Sequence, residues 1–180
     1  MTKKWTGEER RKFIVHKLKV AQAPIRGQAL AEMTNVSRQV IVTDIALLKT
    51  SQVPIIGTNR GYLYVHEQPE SNQFRKVIVC QHTPEQTEEE LHLIVDCGVT
   101  VVDVTVEHSY YGEITGSLML SSRFDVAQFM DVIESGEASL LSVLTGGVHL
   151  HTLEADSMEK IDAACDALKK ANILLTMDSK

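Results

Sequence analysis

Two histidines separated by one residue stand late in the chain, in the stretch GGVHLHTLEA that covers residues 146–155. The stretch has the pattern of a half-buried strand, and alternate side chains of a strand point to the same side of a sheet. His149 and His151 are therefore predicted to face the same way, so that their imidazoles can converge on one ion. An exposed polar face is the alternative interpretation of a lone His-x-His pair.

Two further residues are predicted to complete a metal site around this pair. His82 stands at the end of the first strand in the second half of the chain, which should neighbour the last strand, and Glu90 follows in the second turn of the next helix. Three neutral imidazole nitrogens and one carboxylate suit zinc or nickel, with iron and manganese as alternatives. The predicted ligands are His82, Glu90, His149 and His151.

A second polar cluster could line a pocket for a small carboxylate. His108, Tyr110, Tyr111 and Glu113 lie where one predicted strand turns into the next, and Arg123 begins a helix, whose free amides favour an anion. Tyrosine at a turn is often structural. These residues by themselves leave both a pocket and an ordinary turn open.

The elements that position these side chains alternate over residues 74–176. Strands are predicted over 74–81, 99–108, 113–122 and 148–155, and helices over 83–98, 123–135 and 156–171. The order βαββαβα predicts a two-layer α+β sandwich that resembles the ferredoxin-like arrangement. Such a scaffold hosts many functions and proves none.

Residues 1–66 have a different pattern, with three helices followed by a hairpin. Helices are predicted over 7–20, 25–33 and 38–50, and two β-rich runs flank a tight basic turn at 57–61. Two short helices around a polar turn make a helix-turn-helix, and the hairpin would be the wing of a winged helix. A protein interaction module without DNA is the alternative for such a unit.

The third helix is predicted to read DNA, because a helix fits the major groove with its first turn against base edges. The residues predicted to contact DNA are Ser37, Arg38, Gln39, Thr43, Lys49 and Arg60. Arg38 could bind guanine through two hydrogen bonds, and Gln39 could bind adenine. Thr43 and Lys49 are better placed for phosphates, and Arg60 on the wing would reach phosphate or the minor groove.

Charge divides the chain at the same place as the element pattern. Residues 1–66 hold 11 Lys and Arg against 4 Asp and Glu, whereas residues 67–180 hold 7 against 20, so the formal net charges are +7 and −13. A basic excess across a domain is the usual electrostatic footprint of nucleic-acid binding. Residues 69–72 are predicted to form a polar linker between the two parts.

Cysteine usage and hydropathy indicate the compartment. Cys80, Cys97 and Cys165 lie far apart without a C-x-x-C pair, so they are interpreted as reduced packing residues. The apolar runs are far shorter than the roughly 20 residues that cross a bilayer, and the basic start lacks the apolar stretch of a signal peptide. These features predict a cytoplasmic protein without a membrane partner.

Several motifs together carry a family resemblance. In the first part they are VSRQVIVTDIALLK and GTNRGYLY, and in the second HTPEQTEEEL, IVDCG, DVTVEHSYYGEI and LTGGVHLHTLEA. In order and spacing the chain resembles the niacin-responsive transcriptional repressors of Gram-positive bacteria, in which a biotin-repressor-like winged helix precedes a three-histidine (3H) domain. The resemblance places the family's metal ligands on the four residues named above.

The resemblance also implies a function. It implies a repressor, not an enzyme, of genes for making NAD or taking up its precursors, with nicotinic acid as co-repressor. The residues assigned to the effector are His108, Tyr111, Glu113 and Arg123. We expect the acidic domain to form a homodimer whose winged helices read related half-sites of operator DNA.

Two other functions stay open from the residues. A metal-sensing repressor, in which the ion itself is the signal, would use the same ligands. A metal-dependent hydrolase with a DNA-targeting module would use Glu90 or Glu107 as base. The sequence has no nucleophile elbow, P-loop or H-E-x-x-H motif that would support an enzyme.

Overall fold

The computed structural model describes residues 5–66, 73–136 and 138–176, and these fall into two compact units. The first unit contains the described residues up to 66 and the second contains those from 73 onward. The predicted linker at 69–72 lies outside the described residues. No helix in the described ranges is long and apolar enough to pass through a bilayer.

The first unit consists of three helices and a two-stranded antiparallel sheet. The elements are α1 (Gly7–Val20), α2 (Gly27–Thr34), α3 (Arg38–Thr50), β1 (Ile55–Thr58) and β2 (Gly61–Tyr64). The predicted capping box is present, with the Glu9 amide donating to the Thr6 hydroxyl and the Thr6 amide donating to the Glu9 carboxylate. The predicted helix-turn-helix with a hairpin wing is therefore confirmed.

A buried ion pair joins α1 to α3 in this unit. Asp44 is 2% exposed and accepts from the Arg10 Nε at 2.5 Å and from an Arg11 guanidinium nitrogen at 3.2 Å. Apolar residues of all three helices and of β1 form the core around it, among them Ile14, Leu18, Leu30, Ile41, Ile45 and Ile55. The pair fixes the helix that carries the predicted base contacts against the rest of the unit.

The second unit contains four strands and three helices in the predicted order. The elements are β3 (Phe74–Gln81), α4 (Thr87–Val95), β4 (Thr100–His108), β5 (Gly112–Leu120), α5 (Arg123–Glu134), β6 (Val148–Ala155) and α6 (Met158–Lys170). Short 3-10 helices cover Pro84–Gln86 and Leu141–Thr145. The helix predicted over 83–98 is therefore shorter, because its first turn is the 3-10 turn that the Thr83 and Gln86 capping box closes.

The sheet order is β3-β6-β4-β5, and all three neighbouring pairs are antiparallel. The last strand thus lies between the first and second strands. The expected pairing of the first and last strands is present. In the ferredoxin-like arrangement the first and third strands are the central neighbours, so this order is a different one. After α6, residues 173–175 pair with the free edge of β3, where the Gln81 amide donates to the Ile173 carbonyl at 2.9 Å.

Alternation along β6 sends every second side chain towards the helices. His149, His151, Leu153 and Ala155 are all buried, whereas the intervening residues are partly exposed. Leu153 and Ala155 belong to the apolar core with residues of α4 and α6. The two histidines occupy the same face at the other end of the strand, where the interior becomes polar.

Candidate metal centre

Helix α4 places a carboxylate opposite the two histidines of β6. Its buried residues are Thr87, Glu90, Leu91, Ile94 and Val95, which follow helical spacing. Glu90 is only 1% exposed. A charged side chain so deeply buried needs partners of opposite charge or strong donors.

Three imidazoles converge on that carboxylate. The Nε2 atoms of His82, His149 and His151 lie 2.8, 3.1 and 3.4 Å from the nearest Glu90 oxygen. All three histidines are buried, and the His149 ring lies between the other two with centroid distances of 4.9 and 4.8 Å. The structure therefore brings together all four residues of the predicted metal site.

The other nitrogen of each ring faces a backbone carbonyl. The Nδ1 atoms of His82, His149 and His151 lie 2.7, 2.9 and 2.7 Å from the carbonyl oxygens of Thr83, Gly147 and Asp103 respectively. A carbonyl only accepts, so each Nδ1 carries a hydrogen and donates it. In the neutral imidazole the Nε2 atom then has a lone pair, and this lone pair points at Glu90.

Three lone pairs directed at a buried carboxylate repel it unless positive charge lies between them. Protons are one source of that charge. Burial by itself would lower the pKa of His82 and of His151, but the Glu90 carboxylate outweighs burial and raises the pKa of both. Burial likewise would raise the pKa of Glu90, but the charge of His151 and hydrogen bonds from the three imidazoles hold that pKa well below its usual range.

A divalent metal ion is the other source of positive charge, and the donors fit it. Imidazole nitrogens and a carboxylate are ordinary ligands of zinc and of other first-row ions. Histidines that bind metals usually donate their second ring nitrogen to a carbonyl or carboxylate, which fixes the ring and its tautomer. His82, His149 and His151 all have that support already.

Cys80 lies beside these residues. It is fully buried, and its Cα pairs with that of His149 across β3 and β6. Within the described part of the chain, the sulfur of Cys80, a Glu90 oxygen and a His149 nitrogen lie within 4.8 Å of one another. Burial, with a smaller effect of Glu90, raises the pKa of the Cys80 thiol above its usual range.

The interpretation of Cys80 as a packing residue missed this placement. The signal that could have found it was strand alternation, since residues 80 and 82 share a face of the first strand just as 149 and 151 share a face of the last. The other two cysteines, Cys97 and Cys165, are partly exposed and free.

A pocket of about 370 Å³ adjoins the histidines on one side. Its lining residues come from the end of β3, the turn after it and the segment before β6: Gln81, His82, Thr83, Pro84, Gln86, Ser142, Val143, Gly146 and Gly147. Gly147 has φ +93°, and a Cβ there would lie 2.2 Å from the His82 carbonyl oxygen, so the turn passes too close to His82 for a side chain. The sequence predicted no element between 136 and 147, and the pocket was missed for that reason.

The predicted effector residues do not meet in one place. His108 and Tyr111 are in ring contact with centroids 5.0 Å apart, and Glu113 lies near them at the start of β5. Arg123 follows the opposite end of β5, a strand of nine residues that spans roughly 26 Å. There it donates two hydrogen bonds to Asp96, at 2.7 and 2.5 Å.

The pocket beside His82 is lined by residues other than the predicted effector residues. Among the residues described, its lining contains none of His108, Tyr111, Glu113 and Arg123. Tyr111 is 80% exposed, as expected for a residue at a hairpin turn. The four residues therefore do not form the single pocket that the sequence analysis proposed for them.

The predicted DNA contacts lie on an exposed surface of the first unit. Ser37 caps α3 by accepting from the Val40 amide at 3.4 Å, and Arg38 and Gln39 follow in the exposed first turn. Thr43 and Lys49 are exposed further along α3, and Arg60 lies in the turn between β1 and β2. Their contacts with DNA remain predictions.

Comparison with known proteins matches both units. Residues 10–63 match a family model described as an HTH domain, and residues 75–177 match one described as a 3H domain. Transcription repressor NadR of Bacillus subtilis (strain 168) is 49% identical over 173 residues, which are 96% of this chain and 96% of that protein. Probable transcription repressor NiaR of Thermotoga maritima is 39% identical over 175 residues, 97% of this chain and 98% of that protein.

Proposed function

Because the chain belongs to the family of transcription repressors that join an HTH domain to a 3H domain, we propose that it represses genes for NAD synthesis or niacin uptake when nicotinic acid is bound. The first unit binds operator DNA, and the second unit binds a divalent metal ion and the effector. Two chains pair as a homodimer, so that two recognition helices read two half-sites.

The convergence of three Nε2 atoms on Glu90 is the observation that carries the metal part of this proposal. The site has a preset tautomer at every histidine and is closed to solvent. His82, Glu90, His149 and His151 would hold zinc or nickel, or else iron or manganese. The ion would supply the positive charge that ring protons supply in its absence, and would join the end of β3 to α4 and β6 at one point.

The pocket beside His82 is the binding site that we propose for nicotinic acid. Its volume lies near the lower end of the range of small-molecule pockets, roughly 300 to 1,000 Å³. Polar side chains at its wall, among them Thr83, Gln86 and Ser142, offer hydrogen bonds to a ring nitrogen and a carboxylate. His82 belongs to both the pocket and the metal site. The affinity of a ligand in the pocket would therefore depend on whether the metal site is ordered.

The effector would act by favouring one arrangement of the dimer. A ligand shifts an equilibrium only as far as its affinities for the two states differ, and a shift from almost none to almost all requires about 10⁴-fold. The 3-10 turn and the two glycines before β6 line the pocket and lead along the chain to His149. We place the effector-dependent rearrangement in this segment.

The double substitution His149→Ala and His151→Ala tests the proposal. Bound metal measured by elemental analysis should be lost, and nicotinic acid should no longer raise operator affinity in a mobility-shift titration. His92→Ala is the matched control, because His92 lies on α4 outside the four proposed ligands and contacts the exposed Glu88 at 4.0 Å. Full metal content in the double variant would contradict the assignment of the ligands.

A repressor that senses the ion itself is the second candidate, because the same buried donors would serve it. Titrating metal and nicotinic acid separately in the operator-binding assay distinguishes the two, since a metal sensor responds to the ion without any pyridine. Both relatives are named transcription repressors, which agrees with a regulator and lends no support to the hydrolase alternative.

A further inference from the structure

Cys80 reaches the metal site from the strand next to the histidine pair. The antiparallel pairing of β3 and β6 places Cys80 opposite His149, with both side chains on the face towards α4. Glu90 completes the group of three ligand atoms that lie within 4.8 Å of one another. A cysteine that only packs contacts apolar groups, whereas this sulfur lies near a carboxylate and an imidazole.

We propose that Cys80 is a fifth donor at the metal site and that its sulfur makes the site selective for thiophilic divalent ions, zinc above all. This inference rests on the proposed metal site but assigns a residue outside the four predicted ligands. On binding, the thiol releases its proton to solvent and the sulfur forms a bond to the ion. Hard ions such as manganese gain little from a thiolate.

The distances allow the sulfur to reach such an ion. Zinc binds sulfur at about 2.3 Å and oxygen or nitrogen at roughly 2.1 Å, so two donors on one ion lie up to about 4.4 Å apart. Every separation in the group lies within 4.8 Å, a bound only a few tenths of an ångström above that span. A small side-chain rotation therefore brings Cys80, Glu90 and His149 onto one ion.

Charge balance favours the same assignment. A divalent ion held by three neutral imidazoles and one carboxylate leaves one positive charge in a closed site, and an unbalanced buried charge is costly. Glu90 is 1% exposed and Cys80 is 0% exposed, so both lie where that cost applies. With a Cys80 thiolate, the two anionic ligands neutralise the ion.

Cobalt(II) binding separates this inference from the proposed function on which it rests. Cobalt replaces zinc at many protein sites, and its weak visible bands report binding by any ligands, whereas an intense near-ultraviolet charge-transfer band requires a thiolate. We expect the full-length wild-type chain to show both signals. Cys80→Ser should keep the visible bands and lose the near-ultraviolet band.

The remaining cysteines provide the control. The double variant Cys97→Ser and Cys165→Ser retains Cys80 as its single thiol and should keep the near-ultraviolet band at wild-type intensity. Visible bands without the near-ultraviolet band in the wild type would overturn the role of Cys80 and leave the four-ligand site intact. Absence of both signals would overturn the metal site together with this inference.

Metal competition gives a second measurement that does not depend on cobalt. Zinc affinity, measured against a chromophoric chelator, should fall in Cys80→Ser, while manganese affinity should stay at the wild-type level. Circular dichroism checks that the variant is folded. Equal losses of zinc and manganese affinity would indicate that Cys80 supports the fold without binding the ion, and would overturn its role in selectivity.

Discussion

At the scale of single residues, protons and a metal ion compete for the same nitrogen in each of three imidazoles. Each Nδ1 donates to a backbone carbonyl, so Nε2 is the atom that either takes a proton or binds an ion. The pKa of His82 and that of His151 are raised above the ordinary value of 6.5 by Glu90. In the metal-free protein these rings therefore hold protons at a higher pH than free histidine does.

Metal affinity should depend on pH in the direction that this competition sets. As pH rises through the raised pKa of His82 and His151, the protons leave and the affinity should rise, whereas acidification should weaken binding. Binding near neutral pH should also release protons, which a pH indicator detects in weakly buffered solution. In Cys80→Ser, where no thiol proton can be released, metal binding without proton release and an affinity unchanged across the neutral range would show that the rings are already neutral.

Residue patterns predicted much of this site, and alternation explains why. A strand fixes which side chains share a face, so His149 and His151 were expected together, and the capping box placed Glu90 on the following helix. Alternation alone does not say how far apart two elements lie. Arg123 was grouped with His108 because it begins a helix whose free amides favour an anion, yet the two residues lie at opposite ends of the β4 and β5 hairpin.

At the scale of elements, the turn before β6 sets the position of His149. Gly146 and Gly147 have φ of +61° and +93°, a region that side chains disfavour. A Cβ on Gly147 would meet the His82 carbonyl at 2.2 Å, whereas a Cβ on Gly146 would meet nothing within 4 Å. The two adjacent glycines therefore separate backbone strain from a steric clash with the site.

Gly147→Ala should lower the free energy of unfolding by roughly 3 kcal/mol or more, because backbone atoms on both sides must move. Metal affinity should fall with it, since both His82 and His149 border the clash. Gly146→Ala should cost only about 1 kcal/mol, from its left-handed backbone, and should bind metal normally. Thermal unfolding and chelator competition measure the two effects, and equal losses in both variants would refute the steric explanation.

Helix α3 depends on the buried Asp44 pair for its position. Asp44→Asn keeps the shape but leaves Arg10 and Arg11 without their anion, which should destabilise the first unit by about 3 kcal/mol. Trp5 is the single tryptophan and packs on Phe13, with ring centroids 4.8 Å apart, so its fluorescence follows this unit during denaturation.

A surface pair provides the comparison for Asp44. Lys12 and Glu8 form an exposed pair on α1, with side chains 76% and 73% exposed, so Lys12→Ala should leave the stability close to that of the wild type, because solvent screens the pair. A loss in Lys12→Ala as large as that in Asp44→Asn would indicate that burial is not what makes the Asp44 pair important.

Element types and some of their bounds followed from the sequence, as did the pairing of β3 with β6, whereas the full order of the strands in the sheet did not. Helical spacing and caps predicted α1 and α3 to the residue, since those signals are local. Which strand edges pair is decided by long-range packing, so the insertion of β6 between β3 and β4 departs from the ferredoxin-like order. The 3-10 helix at Leu141–Thr145 has no periodic apolar signal, and it carries part of the pocket wall.

At the scale of the whole molecule, the charge difference between the two units separates two kinds of work. Residues 1–66, with a formal charge of +7, attract a polyanion, whereas residues 67–180, at −13, repel it. DNA is thereby directed to the unit with the exposed recognition helix. The proposed cation site lies in the unit whose negative charge favours cations at long range.

Salt dependence tests this division on operator DNA. Each phosphate contact contributes about −0.9 to the slope of log affinity against log salt, so Lys49→Ala should reduce the slope by about 1 with little change in sequence preference. Arg38→Ala should cost about 1 to 3 kcal/mol on the operator and much less on random DNA, because a base contact carries specificity. Lys160→Ala removes the same charge from the acidic unit, where Lys160 pairs with Asp156, and should leave the slope unchanged. A slope that falls equally in Lys49→Ala and Lys160→Ala would mean that overall net charge, and not the basic unit, sets the affinity for DNA.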